Sequence, residues 1–531
     1  MSVLNLLNTK VVVGVGFLYV LAHLVGRRRG RRSLPYPPGP KGESNCYTGY
    51  PLIGNVLDMP QSKEWETFTK WREIYGDFVF LNVLGTHLLI INSLECANAL
   101  LDKKGSIYAD RPRFVVGGEL IGWDRLLGMS RYGDRVRSQR KMIHPVVGTK
   151  SAVETQWSGI IERETRKLLN DLVTQPEDFL QLIRTAVGAT ILSVAYGYRV
   201  EDPQDPLIAI AEQGMSDFMM VTMPGNFLAD LIPICKVQCV LDFVTILSAV
   251  FLDHAVKHFT RHTRTVAVLR KHLDDFLNIP FTFVKKQMAT GTYDLSFSSQ
   301  KLAEDSTPAD EEDIKWGGLA LFGGGADTTV SVLQSFILAM TLYPDVQKKA
   351  QAELDSVVGY DRLPNLGDRD DLPYLGALMN EVLRWSPVVP TNLPHVLTEE
   401  DEHDGFFIPQ GTVVLVNAWG ILHNPEIYHD PMEFKPERFL NDDGRTPEMD
   451  PHNVGFGFGR RRCPGIEFAD ASIMVACAMI LSVFDVSKVV ENGVVVEPLV
   501  EFVGGISHPM PFRCSIKPRS QHALELITAL N

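Results

Sequence analysis

The chain has 531 residues, 45% of them hydrophobic and 22% charged, with a formal net charge of −13. That balance suits a globular chain with a large core and excludes a disordered or fibrous one. The acidity also excludes nucleic acid as the main partner, because such binding needs a basic surface to displace phosphate counterions.

From the N-terminus, residues 11–25 form an uncharged apolar run, and residues 3–7 extend it past a lone Lys10. About 20 predominantly apolar residues span a bilayer, so residues 1–26 are predicted to form a membrane anchor, with Lys10 snorkelling toward the interface. Arg27, Arg28, Arg29, Arg31 and Arg32 follow at once, and such a cluster stays on the cytosolic side. A cleaved signal peptide would carry its charge before the apolar run rather than after it. Residues 27–50 then read as a basic, proline-rich linker, because the four prolines between Leu34 and Pro40 block both helix and sheet.

The globular part is expected over 51–531. Residues 78–84 and 87–91 read as two strands across a turn at Gly85 and Thr86. Beyond them apolar residues recur at helical spacing over 135–147, 155–174, 206–221, 242–275, 313–343, 344–358 and 374–383. Short strands are expected at 406–408, at 413–417 and in the last thirty or so residues. The charged stretch 304–313 reads as a solvated loop. With no internal repeat and no second linker, the pattern predicts one large, mainly α domain with small β-sheets, despite a length that alone suggests two or three domains.

Seven cysteines, at 46, 96, 235, 239, 463, 477 and 514, are too scattered for a disulfide framework, and their odd number leaves a thiol over. The informative one closes Phe456-Gly-Phe-Gly-Arg-Arg-Arg-Cys-Pro-Gly465, with an apolar helix expected from about Ile466. A cysteine just before a helix N-terminus is poised as a thiolate, because the helix dipole there favours negative charge. Pro464 has no N–H, which leaves the amides of Gly465 and Ile466 free to point at the sulfur. A second unusual string, Gly323-Gly-Gly-Ala-Asp-Thr-Thr329, lies inside a strong helical stretch. Interior glycines cost about 1 kcal/mol each against alanine, so three together imply a groove beside the helix. A threonine hydroxyl there can bond the carbonyl one turn back.

The cysteine segment resembles the Phe-x-x-Gly-x-Arg-x-Cys-x-Gly signature of the cytochrome P-450 superfamily, through Phe456, Gly459, Arg461, Cys463 and Gly465, and the overall pattern resembles its fungal microsomal members. The resemblance implies the fold of that family and a haem whose iron takes Cys463 as axial ligand. It also implies Arg461 on a haem propionate and Phe456 beside the sulfur. The glycine string matches the family's distal acid–alcohol pair, so Asp327 is implied to relay protons and Thr328 to support oxygen activation. Glu381 and Arg384 share a helical face. With Arg438 from Pro436-Glu-Arg-Phe439 they resemble the family's buried ionic network, with a role in folding and haem retention. His395 matches a propionate contact. Arg140 matches the arginine of the family's Trp-x-x-x-Arg helix, although Val136 stands where the tryptophan would be.

By the same resemblance, the activity is insertion of one atom of O2 into an organic substrate while the other leaves as water. Anchor and haem domain consume the whole length, so electrons come from a separate NADPH-dependent cytochrome P-450 reductase, with the catalytic domain on the cytosolic face of the endoplasmic reticulum. Arg135, Arg137, Lys141, Arg460 and Arg462 are candidates for its docking face. The pocket is implied to draw on 114–123, 215–227, 319–322, 388–391 and 504–506, apolar segments suited to a terpenoid, steroid-like or polycyclic aromatic compound of fungal secondary metabolism or detoxification. A haem-thiolate isomerase or dehydratase, or a haem carrier, are the alternatives. The spacings of His254, His258 and His262, and of Cys235 and Cys239, fit an exposed face and core packing better than a metal site.

Overall fold

Alternating β-branched and aromatic residues near the start of the fold make the hairpin expected there, with its turn displaced by one residue. The computed structural model describes residues 34–40, 53–201, 205–222, 254–304, 307–441, 444 and 446–528. The predicted anchor, most of the linker, Cys46, Cys235, Cys239, residues 242–253 and the side chains of His254, His258 and His262 lie outside the described residues. Helix α1 (Glu64–Tyr75) precedes β1 (Phe78–Val83), which pairs antiparallel with β2 (Thr86–Ile91). Leu84 and Gly85, at φ 51° and 87°, form the turn between them. Two successive residues of positive φ match the right-handed twist of the flanking strands.

β3 (His395–Val396) and β4 (Val413–Val416) complete this sheet in the order β1-β2-β4-β3, with β2 and β4 parallel. The sheet therefore ties the start of the domain to its C-terminal part. The proline-rich segment is not free-standing over its described residues. Its Pro38 and Pro35 carbonyls accept from the amides of Phe80 and Phe407, and Tyr36 stacks on Phe80 at 5.1 Å.

The rest is mainly helical: α2 (Asp134–Val147), α3 (Ser158–Thr174), α4 (Phe179–Tyr196), α5 (Pro206–Thr222), α6 (His254–Thr290), α7 (Pro308–Leu342), α8 (Pro344–Val357), α9 (Pro373–Trp385) and α10 (Ile466–Val483). Helix α7 crosses the centre of the domain and packs on α4, α10 and α2. Its start corrects the loop expected over 304–313. Thr307 and Asp310 cap each other's backbone amides, Pro308 needs no N–H partner, and Asp310 and Glu311 complement the positive end of the helix. Charges that read as a solvated loop are thus the first turn of the central helix. Helix α6 also runs past the expected end at 275, through Pro280.

Helix α4 went unread because it is buried almost all round, which leaves no polar face to reveal its period. Segment 176–196 and α10 are long and apolar enough to cross a membrane, yet 78% of the most apolar 18-residue stretch of each is buried inside the protein. Both are core helices of one continuous apolar cluster.

Candidate functional site

The middle of α7 borders an internal cleft. Leu319 and Phe322 before it, and Val330 and Leu333 after it, are buried, whereas Gly324 is exposed. A Cβ built on Gly324 would meet nothing within 4 Å. The neighbouring glycines have different reasons. A Cβ on Gly325 would come within 2.8 Å of Ile191 on α4, and one on Gly323 would touch Met215 of α5 at 3.4 Å. The Thr328 hydroxyl donates to the Gly324 carbonyl at 2.7 Å, the backward bond expected from the sequence.

Asp327 faces two bases that the sequence did not signal. Arg184 of α4 lies 3.0 Å from Asp327 Oδ1, and His508 Nε2 lies 3.2 Å from the same oxygen. Burial pushes the Asp327 carboxyl upward, but His508 and Arg184 together outweigh it and hold the group below its ordinary range. The His508 segment is itself fixed to α7, since Ser331 donates to the Ser507 carbonyl and Gln334 lies beside His508 Nδ1.

Cys463 sits across the fold at the end of its loop. Its amide donates to the Phe456 carbonyl at 2.8 Å, and the Gly465 amide points at its sulfur at 3.4 Å. Gly459 has φ 51°, and a Cβ there would lie 2.2 Å from the Leu101 carbonyl oxygen, so this turn admits only glycine. The role of Gly459 is to let the loop pass Leu101. Cys463 is exposed, whereas Cys96 and Cys477 are buried. Yet burial is the main influence on its thiol and pushes it above the ordinary value, with the Gly465 amide, Arg140 and Arg462 pulling the other way. The sulfur thus opens onto an enclosed cleft rather than bulk water. At this sulfur desolvation works against the Gly465 amide and the two arginines, which favour the thiolate.

Near Cys463 the fold gathers several cations, with Asp110 beside two of them. Arg461 donates to the carbonyls of Ala109, Leu127 and Ser130. Arg111, also buried, donates to those of Gly128, Leu393 and Pro394. His395 Nδ1 lies 2.8 Å from the Tyr108 carbonyl, and Arg140 donates to the Arg462 carbonyl. Among the described residues, none of the three arginines has a salt-bridged carboxylate. Burial lowers Arg111 to about 9, assisted by the neighbouring Arg461, and lowers Arg461 to about 10. Burial and Arg111 bring His395 down to about 3, so it is neutral, with Nδ1–H given to Tyr108.

Such a cluster of cations suits a dianion, which is what the two carboxylates of a haem would supply beside an iron ligand at Cys463. Arg111 escaped the sequence reading because a single arginine in a loop carries no spacing signal. Val136 is fully buried in the core, so no indole reaches the cleft from that position.

Glu381 and Arg384 meet in a doubly hydrogen-bonded pair at 2.7 and 2.8 Å, with both side chains fully buried. Arg438 Nε lies 3.1 Å from Glu381 and its Nη1 lies 2.6 Å from Glu448. Arg384 also binds the carbonyls of Leu422, Pro431 and Glu433.

Several pocket segments converge as well. Trp123 meets Phe218 edge-on at 5.0 Å, Gly117 approaches Val221 closely, Gly505 approaches Met219, and the Ser507 amide donates to the Val388 carbonyl. Residues 223–227 lie outside the described residues. Arg135, Arg137, Lys141, Arg460 and Arg462 are all exposed, with Arg137 and Arg460 over the Tyr132 ring at 5.8 and 5.5 Å.

Comparison with known proteins adds a family model described as Cytochrome P450, which matches residues 45–501. Cytochrome P450 monooxygenase 208 of Postia placenta is 44% identical over 95% of this chain and 94% of its own length. Cytochrome P450 monooxygenase claR of Ampulloclitocybe clavipes is 41% identical over 98% of this chain and 92% of its own. Cytochrome P450 monooxygenase COX2 of Coprinopsis cinerea is 38% identical over 94% and 92%.

Proposed function

The chain belongs to the cytochrome P450 family, and from that premise we propose that it oxidises a lipophilic small molecule at a haem held by Cys463, drawing electrons from an NADPH-dependent flavoprotein reductase. Haem is the family's cofactor and monooxygenation its activity. When bound, the haem supplies reductive activation of O2, and thiolate ligation favours cleavage of the O–O bond. The observation that carries the reading is the accessible sulfur of Cys463 near Arg111, Arg140 and Arg461, none of which has a salt-bridged carboxylate among the described residues.

In this reading the chain's own residues divide the work. Cys463 ligates through sulfur while the Gly465 amide stabilises its negative charge. Arg111, Arg140 and Arg461 neutralise the carboxylates of the cofactor. His395 has given its Nδ1–H to Tyr108, so it joins them by taking up a proton at Nε2, which an adjacent carboxylate favours. Asp327 holds and releases protons at its carboxylate, and the Thr328 hydroxyl offers a donor at the open face of α7. The apolar segments that converge around Trp123, Phe218 and Met219 would exclude water and favour a terpenoid, steroid-like or polycyclic aromatic substrate.

Residues 1–26 anchor this domain to the endoplasmic reticulum membrane, with 27–50 as linker and 51–531 as the catalytic unit. Fungal secondary metabolism or detoxification is the setting that fits the relatives' organisms. The test is the difference spectrum of dithionite-reduced protein with and without CO. A red-shifted Soret band of thiolate-ligated iron is expected, and Cys463→Ala loses it. A histidine-like band in folded wild-type protein sinks the proposal.

A further inference from the structure

One half-buried cation near the cysteine loop has no part in the roles above. His452 opens the short helix His452–Gly455, and its Nδ1 lies 2.7 Å from Asp450 Oδ1. Its Nε2 lies 2.9 Å from Oδ1 of Asp470, one turn into α10. Carboxylates only accept, so both ring nitrogens donate at once only if the ring is protonated. Burial works against that charge, but the two carboxylates prevail and push the imidazole up to about 9. The other charged groups facing this cluster are Arg369, 3.5 Å from Asp470, and Arg462, whose guanidinium donates to the His452 carbonyl.

The imidazolium reaches the cysteine by two routes. Its ring is stacked on Phe456, with centroids 5.0 Å apart and planes at 12°. The Phe456 carbonyl in turn accepts from the Cys463 amide at 2.8 Å. The second route runs through Asp470, which stands on the helix that begins three residues after Cys463. His452 is the cation in closest contact with that carboxylate.

Resting on the reading of Cys463 as the iron ligand, we propose that His452 is a positioning residue that sets the reduction potential of that iron, its charge offsetting Asp470 and its ring bracing Phe456. A nearby positive charge favours the reduced metal, which carries one positive charge fewer, and groups beyond the ligand tune a metal centre in this way.

The test is a spectroelectrochemical titration of the full-length holoprotein, with the reduced CO band recorded for each variant. His452→Gln is expected to lower the potential by on the order of tenfold in the ferric/ferrous equilibrium, about 59 mV for one electron. His452→Arg keeps the charge and restores the potential, Asp470→Asn raises it, and His452→Gln with Asp470→Asn returns it toward wild type. Packing alone gives no such opposition of sign. Potentials of His452→Gln and Asp470→Asn that match wild type, or shift in the same direction, overturn the proposal. Should His452→Gln lose its haem, Asp470→Asn decides alone, and an unmoved or lowered potential overturns it. Loss of the thiolate-type CO band in wild type would instead defeat the Cys463 reading, before any potential is compared.

Discussion

Asp327 shows how one side chain on α7 is prepared by residues far away in the chain. Burial alone would push its carboxyl upward, but Arg184 and His508 outweigh it and favour the carboxylate. A folded value below the unfolded one means these pairs contribute stability that is fully present above the ordinary carboxylate range. That stability is lost as pH falls through the lowered folded value. Asp327→Asn keeps the shape and removes the titration, so kcat should fall about 100-fold with substrate affinity nearly unchanged. Arg184→Gln leaves burial less opposed, and the acid limb of the pH–kcat profile should move upward. Stopped-flow turnover from about pH 3 to pH 8 checks both, and an unmoved limb in Arg184→Gln would show that another group governs it.

At the scale of elements, two glycines in superficially similar strings answer opposite needs. Gly324 has helical backbone geometry with open space where a Cβ would go, whereas Gly459 has positive φ and the Leu101 carbonyl 2.2 Å from that point. Gly324→Ala should therefore stabilise the chain against urea by up to about 1 kcal/mol through helix propensity, while its methyl narrows the cleft and weakens ligand binding. Gly459→Ala should destabilise by about 3 kcal/mol and shed haem, since backbone is what it strikes. Denaturation curves with parallel Soret measurements separate the two, and equal stabilities would contradict the geometry. The cysteine loop and the Thr328 hydroxyl were legible in the sequence because their contacts are local, within one turn of helix or one loop. Amphipathic α2, α8 and α9 were legible for a similar reason, their period being written on two unlike faces. Helix α4 has one kind of face, and the first turn of α7 wears charges that also suit a loop. Arg111, Arg184 and His508 reach the site only through tertiary folding, and no spacing announces them.

Over the whole molecule, ionic groups do two different kinds of work, and burial separates them. The network of Glu381, Arg384 and Arg438 joins α9 to the segment around Pro431 to Phe439 in the interior. Removing one partner leaves a buried charge uncompensated, so Glu381→Gln should cost about 3–5 kcal/mol and lower the haem content of purified protein, although the residue lies outside the cleft. The exposed cations behave differently, because water screens them and each pair adds little to stability. Arg135 and Arg137 are partly satisfied by Asp313 and Asp134, and Arg137 and Arg460 lean on the Tyr132 ring. The chain carries a net charge of −13, so a positive patch beside the cysteine loop is a local exception that a negatively charged partner surface would find. Such steering acts on encounter and fades as salt shortens the reach of the field to about 8 Å at physiological strength. Reversing Arg137 and Arg460 to Glu should leave folding and the CO band intact while slowing reduction by the flavoprotein reductase about tenfold at low salt. The deficit should shrink toward nothing at high salt. Equal rates for variant and wild type at low ionic strength would place the docking face elsewhere. A deficit that persists at high salt would mean that the two arginines act on the cysteine loop itself rather than on encounter.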